Sequence, residues 1–236
     1  MEFDTEVLDV IQRTHNVKSF RFRLDEEADF RPGQFFFVTI KVGQEEKGKH
    51  FSFSNSPTET GYAEFTKRLT DSEFSGALNG LKTGDRARIK MPFGRFTFEG
   101  EHAKAAFLTG GIGITPFRSI CKYIADKKIK SDIALIYSNR SERDIVFRDD
   151  LDEMQSLSSN IKVMYTLTEP EEGKGSWRGK MGRIDEAMVK KEIPDFKDRV
   201  FYICGPAAMV EIMKAILRSR LGMPEEKVIT ENFTGY

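Results

Sequence analysis

The segment richest in chemistry is Phe107-Leu108-Thr109-Gly110-Gly111-Ile112-Gly113-Ile114-Thr115-Pro116. A buried strand ends there, three glycines bend the backbone, and a helix begins, with Thr115 as N-cap and Pro116 at its first position. Glycine lets the main chain approach a phosphate with no Cβ in the way, and a helix start offers N–H groups bearing partial positive charge. The same spacing also suits a tight strand–helix turn that binds nothing. It is not the G-x-G-x-x-G of a dinucleotide fingerprint.

A second junction of this kind is Tyr202-Ile203-Cys204-Gly205-Pro206-Ala207-Ala208-Met209. In an open α/β sheet, ligands bind beyond the carboxyl ends of the strands, and both junctions fall there. Cys204 suits either a ligand contact or a buried structural thiol. Upstream, Lys49-His50-Phe51-Ser52-Phe53-Ser54-Asn55-Ser56-Pro57 carries many hydroxyls for a strand. Its Ser and Asn side chains can meet the polar edge of a heteroaromatic ring, and Phe51 can stack on its face. An exposed strand face closed by a Ser/Asn turn reads equally well. Ser75-Gly76-Ala77 offers a further small-residue helix start.

Two kinds of scaffold position these segments. Residues 1–98 read as short strands separated by Gly, Pro, Asn and Thr, the pattern of a small closed antiparallel β-barrel. Val17–Leu24 alternates polar and apolar, Pro32-Gly33 launches a strand over Gln34–Lys41, and others follow at Lys49–Ser54, Tyr62–Leu69 and Arg86–Met91. One helix interrupts them at Ser75–Leu81. From about residue 103 strands alternate with helices, which predicts a doubly wound parallel α/β sheet. Strands are expected at Ala105–Thr109, Asp132–Tyr137, Ile161–Thr166 and Val200–Cys204. Helices are expected after Thr115, from about Phe147, and over Ala207–Leu221. In the first helix Phe117, Ile120, Cys121 and Ile124 face inward; in the last, Ala208, Met209, Ile212, Met213, Ile216 and Leu217 do. Two domains follow, residues 1–99 and 100–236.

Composition excludes other classes. Lys+Arg and Asp+Glu balance at 37 each, so no field of one sign attracts nucleic acid or a membrane. No apolar run nears the length of a membrane span, and the acidic start MEFDTEVLDV is no signal peptide. Two cysteines, Cys121 and Cys204, cannot hold an iron–sulfur cluster that normally takes four thiolates, and no metal-type spacing occurs. A cytoplasmic monomer with reduced thiols is expected. His15, His50 and His102 are scattered and read as surface residues.

Taken in order, the motifs resemble the ferredoxin–NADP(+) reductase superfamily, in the branch of flavin reductases, cytochrome b5 reductase-like enzymes and oxygenase reductases. The resemblance runs from Arg31-Pro32-Gly33-Gln34-Phe35 through Lys49–Asn55, Gly84-Asp85, Pro92-Phe93-Gly94-Arg95-Phe96, Gly110–Pro116 and Cys204–Met209 to Glu231-Asn232-Phe233-Thr234-Gly235-Tyr236. It implies a reductase that takes hydride from NADH or NADPH onto bound FAD and passes electrons to an outside carrier, such as a ferredoxin, flavodoxin, oxygenase component or cytochrome. It also implies residue roles. Phe51 would stack on the flavin, and Ser52 would bond near its N5. Phe53, Ser54 and Asn55 continue that strand, and Thr66, Lys67 and Arg68 match the second flavin-lining strand. Lys49 stands where the family has an Arg gripping the pyrophosphate, and Phe51 stands where it has Tyr. Ser75, Gly76 and Ala77 match the helix start that holds the FAD diphosphate, favouring FAD over FMN.

On the nicotinamide side, Gly110, Gly111, Gly113 and Pro116 match the pyrophosphate loop. Cys204, Gly205, Pro206 and Met209 match the segment beside the nicotinamide. Glu231 falls near a carboxylate that assists proton and electron transfer, and Tyr236 resembles an aromatic covering the flavin, or else a frayed end. Arg140 and Arg143 could meet a 2′-phosphate, or Arg140 could pair with Glu142 or Asp144. Glu169 would repel that phosphate, which inclines the reading to NADH. Reduction of free flavin or ferric chelates, and a non-catalytic FAD-binding subunit, are the competing readings.

Overall fold

A computed structural model describes residues 1–24, 29–169 and 177–233. The chain divides into two compact units. The first holds Met1–Glu99 together with Thr115–Tyr123, and the second holds Gly100–Ile114 and Ile124 onward.

The first unit is a six-stranded antiparallel half-barrel. Its strands are β1 (Glu2–Thr14), β2 (Val17–Arg23), β3 (Phe35–Val42), β4 (Glu45–Ser52), β5 (Tyr62–Arg68) and β6 (Arg86–Phe93), with helix α1 (Glu73–Gly80) between the last two. They lie in the order β4-β3-β6-β1-β2-β5. The expected closed barrel is thus open between β4 and β5. One backbone bond past the end of β4, Ser54 N–H to the Glu64 carbonyl at 2.8 Å, links those edges. Alternation in β2 and β3 sends Phe20, Phe22, Phe36, Val38 and Ile40 into a core shared with Phe53, Phe65 and Ile89. The abundance of Phe is explained there.

The second unit is a parallel sheet in the order β10-β9-β8-β7-β11-β12. Its strands are β7 (Lys104–Gly110), β8 (Asp132–Asn139), β9 (Ile161–Leu167), β10 (Lys180–Met181), β11 (Val200–Pro206) and β12 (Val228–Phe233). The helices are α2 (Ile114–Lys127), α3 (Arg148–Leu157), α4 (Glu186–Glu192) and α5 (Ala207–Ala215). The four central strands β9, β8, β7 and β11 are almost wholly buried, as a sheet covered on both faces requires. At its amino-terminal edge the buried Arg199 guanidinium bonds Asp132 and Asp195 and the carbonyl of Ala105, locking the strand starts together. This leaves the carboxyl edge for ligands.

Helices α2 and α5 differ in detail from expectation. The inward face of α2 is as read, with Phe117, Ile120, Cys121 and Ile124 all buried. Thr115 is not its N-cap. A 3₁₀ turn, Gly111–Gly113, runs straight into the helix, Gly113 caps it, and Pro116 occupies the third position, where the lost N–H still has no helical acceptor. The last helix is regular over Ala207–Ala215 and converts to a π-helical stretch at Ile216–Arg220. Val210, Met213, Ile216, Leu217 and Leu221 are buried, Ile212 is 56% exposed, and Ala208 lies on the surface.

Candidate functional site

In the first unit the hydroxyl-rich segment sorts its side chains by the pleat. Phe51 pairs with Phe36 and faces the core, stacked on Phe65 at 4.1 Å between ring centroids. Lys49, two residues back on the same face, is exposed, its ammonium 5.4 Å from the Phe74 ring in the first turn of α1. Lys67 lies on the matching face of β5. Burial first, and the nearby Lys49 charge second, hold its pKa below the usual lysine value. Its ammonium donates to the Arg68 carbonyl at 2.9 Å.

The opposite face holds a polar network. Glu64, 1% exposed, accepts from Ser54 Oγ at 2.7 Å, from Arg21 Nε at 2.8 Å and from Arg13 at 3.2 Å. Thr66 bonds both Ser54 and Ser19. Asn55 accepts from the Glu64 N–H and donates to the Tyr62 carbonyl, both at 2.8 Å. Ser54, Asn55 and Thr66 therefore use their polar groups within the protein, where they shape the segment. Ser52 differs: it is 6% exposed and its hydroxyl makes no hydrogen bond among the described residues. Phe53 is wholly inside the core.

A second set of bonds fixes the backbone after Ser52. Arg118, buried, bonds the Ser54 carbonyl at 3.2 Å and grips both oxygens of Glu59. Ser119 Oγ donates to the Asn55 carbonyl at 2.7 Å, and Glu59 accepts the Ser56 N–H at 2.7 Å. Sequence reasoning missed Glu64, Arg118 and Glu59. A lone carboxylate in an otherwise buried strand was the available signal for Glu64; Arg118 and Glu59 meet only through the fold.

Helix α1 begins two residues earlier than expected, at Glu73, with Ser72 as N-cap accepting the Ser75 N–H. Ser75 thus sits inside the first turn, its hydroxyl bonded with those of Thr70 and Ser72. The Gly76 N–H is taken by the Ser72 carbonyl at 2.9 Å. A Cβ on Gly76 would meet nothing within 4 Å, so that helix face is open to a ligand, while Ala77 packs on the core. Two ammonium groups close enough to repel, a helix start beside them and an unpartnered hydroxyl at the strand end form a donor set for a large anionic aromatic group. FAD fits that description.

At the carboxyl edge of the parallel sheet the glycines have a packing reason. A Cβ on Gly113 would stand 2.5 Å from the Cys204 carbonyl oxygen and 2.6 Å from Gly205 Cα. On Gly110 it would meet Met209 Sδ at 2.6 Å. Thr109 Oγ1 donates to the same Cys204 carbonyl at 2.8 Å. Gly111 takes a left-handed φ of +54°, and Gly205 has φ of +149°. Gly110, Gly111, Gly113, Cys204, Gly205 and Met209 are thus brought together, with Pro206 exposed at the strand end.

The Cys204 thiol is wholly buried, and burial, then the charge of Glu231, pushes its pKa up. Glu231 is its register partner across β11 and β12. Glu231 Oε2 is buried with no hydrogen-bond partner among the described residues, and burial pushes that carboxyl up to about 7. Asn139, at the end of β8, likewise leaves both amide atoms unpartnered. These buried polar atoms at the carboxyl edge of the sheet could each take a hydrogen bond from a ligand. Arg140 is exposed and makes no ion pair among the described residues, because Glu142 pairs with Arg148 and Asp144 caps Ser141. The Glu169 N–H donates to the Arg140 carbonyl at 2.8 Å, bringing their loops together. Tyr236 lies outside the described residues.

Comparison with known proteins identifies two family matches along the chain. Residues 4–98 match the Oxidoreductase FAD-binding domain family, and residues 107–215 match the Oxidoreductase NAD-binding domain family. The NADH-cytochrome b5 reductase 1 of Eremothecium gossypii is 31% identical over 228 residues, covering 92% of this chain and 78% of that one. The chain belongs to the ferredoxin–NADP(+) reductase-like family of FAD- and NAD-binding oxidoreductases. A further relative is the glycine betaine monooxygenase reductase subunit of Chromohalobacter salexigens, 29% identical over 215 residues, or 89% of this chain. The chain spans 58% of that relative's length. In fold it matches the cytochrome b5 reductase domain of Ulva prolifera nitrate reductase with a TM-score of 0.83, at 22% identity, over 98% of this chain and 97% of that one. Among the described residues, no helix is long and apolar enough to cross a membrane.

Proposed function

We propose that the chain is an NAD(P)H-dependent flavoprotein reductase that uses NADH, holds FAD on the half-barrel, and delivers electrons to a separate carrier protein. The observation that carries the flavin part is the sorting of hydroxyls. Ser54, Ser75 and Thr66 are tied into the protein, while Ser52, at the end of β4, keeps its hydroxyl for a ligand. Lys49 and Lys67 would take the FAD diphosphate beside α1, with Gly76 giving it access. Ser52 would bond the reacting edge of the ring system, while Phe51, expected to stack on that ring, instead packs on Phe65 in the core. Arg118, Glu59 and Glu64 hold the Ser52–Ser56 backbone in place for that contact. FAD, when bound, supplies the exchange between two-electron hydride chemistry and one-electron release.

Gly110–Gly113 and Cys204–Pro206 would receive the dinucleotide. Cys204 contributes its carbonyl, which orders the glycine loop through Thr109 and Gly113. Glu231 Oε2 would hold a proton near neutral pH. Arg140 would reach the adenosine ribose, and Glu169, whose backbone bonds that of Arg140, would bring a carboxylate that disfavours a 2′-phosphate. An acceptor outside the chain is supported by the relatives, whose names pair such reductases with a monooxygenase and with cytochrome b5.

The test is re-oxidation. FAD-loaded protein reduced with NADH is mixed with a ferredoxin, a flavodoxin, cytochrome b5, free flavin or a ferric chelate. Fast electron transfer to a protein carrier is expected. Turnover with free flavin or ferric chelate alone would replace this reading with that of a small-molecule reductase.

A further inference from the structure

Tyr137 is buried in β8, level with Thr109 of β7 in the parallel ladder. A phenol at such a place pays for desolvating its hydroxyl unless that group is bonded. It is bonded twice. The hydroxyl donates to the Gly111 carbonyl at 2.9 Å and accepts the Val146 N–H at 3.3 Å. The Gly111 carbonyl also accepts the Ile114 N–H that closes the 3₁₀ turn. The carbonyl of the left-handed residue in the glycine loop is therefore pinned from the neighbouring strand. Because the peptide unit is planar, fixing that C=O fixes which way the whole Gly111–Ile112 plane faces.

The second bond reaches the loop after β8. Val146 precedes Phe147, which has a φ of +59° and caps the start of α3. One hydroxyl thus ties together the loops that follow two adjacent strands, at the edge where the sheet receives ligands. A phenylalanine would fill the same space, so only the oxygen provides this tie.

We infer that Tyr137 is a positioning residue for the nicotinamide dinucleotide: its hydroxyl holds the glycine loop, before binding, in the shape that receives the pyrophosphate. This rests on the reading of Gly110–Gly113 as the pyrophosphate loop. The loop alone would populate other arrangements of the two adjacent glycines, and binding would then have to select among them.

The experiment is Tyr137→Phe in the FAD-loaded protein. KM for NADH rises about 3- to 10-fold, the effect of losing one neutral hydrogen bond, while kcat stays within about twofold and the bound-flavin spectrum is unchanged. An unchanged KM overturns the inference. A second measurement, hydrogen exchange of the wild type with and without NAD⁺, needs no variant. Slowing of both Gly110–Ile114 and Ile145–Phe147 supports the tie, and slowing of the first alone contradicts it. A wild type that neither nicotinamide nucleotide binds or reduces would overturn the underlying reading instead.

Discussion

Gly113 lies against Cys204 so closely that a Cβ on the glycine would stand 2.5 Å from the cysteine's carbonyl oxygen. Backbone lines both sides of the contact, so neither can yield cheaply. Gly113→Ala is expected to cost about 1–3 kcal/mol in urea unfolding, the range of overpacked sites. Gly110→Ala should cost less, because its nearest obstacle is the flexible end of Met209. Equal stability of Gly113→Ala and the wild type would refute the close approach.

Glu64 is the hub of the half-barrel's polar network. Glu64→Gln leaves Arg13 and Arg21 facing an amide in place of a carboxylate. A loss of about 2–4 kcal/mol is expected, at the lower part of the range for broken buried pairs because both arginines keep some water. FAD retention through gel filtration should fall with it. Unaltered stability and retention would show that Ser54 is held by other means.

Glu231 sets a pH dependence of known sign. Its folded carboxyl is raised from 4.5 to about 7, so between those values the native state binds the proton more tightly than the unfolded chain. Stability from this group is complete below about pH 4.5 and is lost as pH rises through 7, on the order of 3 kcal/mol in all. Glu231→Gln should remove that slope and raise stability at pH 8. Parallel unfolding profiles for variant and wild type from pH 5 to pH 8 would contradict the burial.

On the proposed reading, Glu169 and Arg140 would pull in opposite directions on a 2′-phosphate. Glu169→Gln is expected to raise kcat/KM for NADPH by about tenfold and to leave NADH within about threefold, since only one of the two carries the extra charge. Steady-state kinetics with both nucleotides decide it. No gain with NADPH would place the discrimination elsewhere.

The fold was largely legible because alternation in β2 and β3 and the strand–turn–helix junctions at Gly110 and Gly205 are local signals. The π-helical stretch after Ala215 was not, since nothing in its apolar spacing distinguishes it from regular helix. The candidate site was legible as motifs but not as contacts. Ser52 and Ser54 look alike in sequence, yet Glu64, ten residues beyond Ser54, engages only the latter. Thr115 looks like a cap, but the preceding 3₁₀ turn already supplies the helix start. Tyr137 reads as one more apolar strand position, because its hydroxyl's partners belong to other loops.

The most direct measurement is anaerobic mixing of the FAD-loaded protein with NADH and with NADPH while the visible absorbance of the flavin is followed. Rapid bleaching by NADH, with NADPH slower by about tenfold or more, is the predicted result. A protein that takes up no FAD, or whose flavin neither nucleotide bleaches, would contradict the account, and faster bleaching by NADPH would overturn its assignment of NADH.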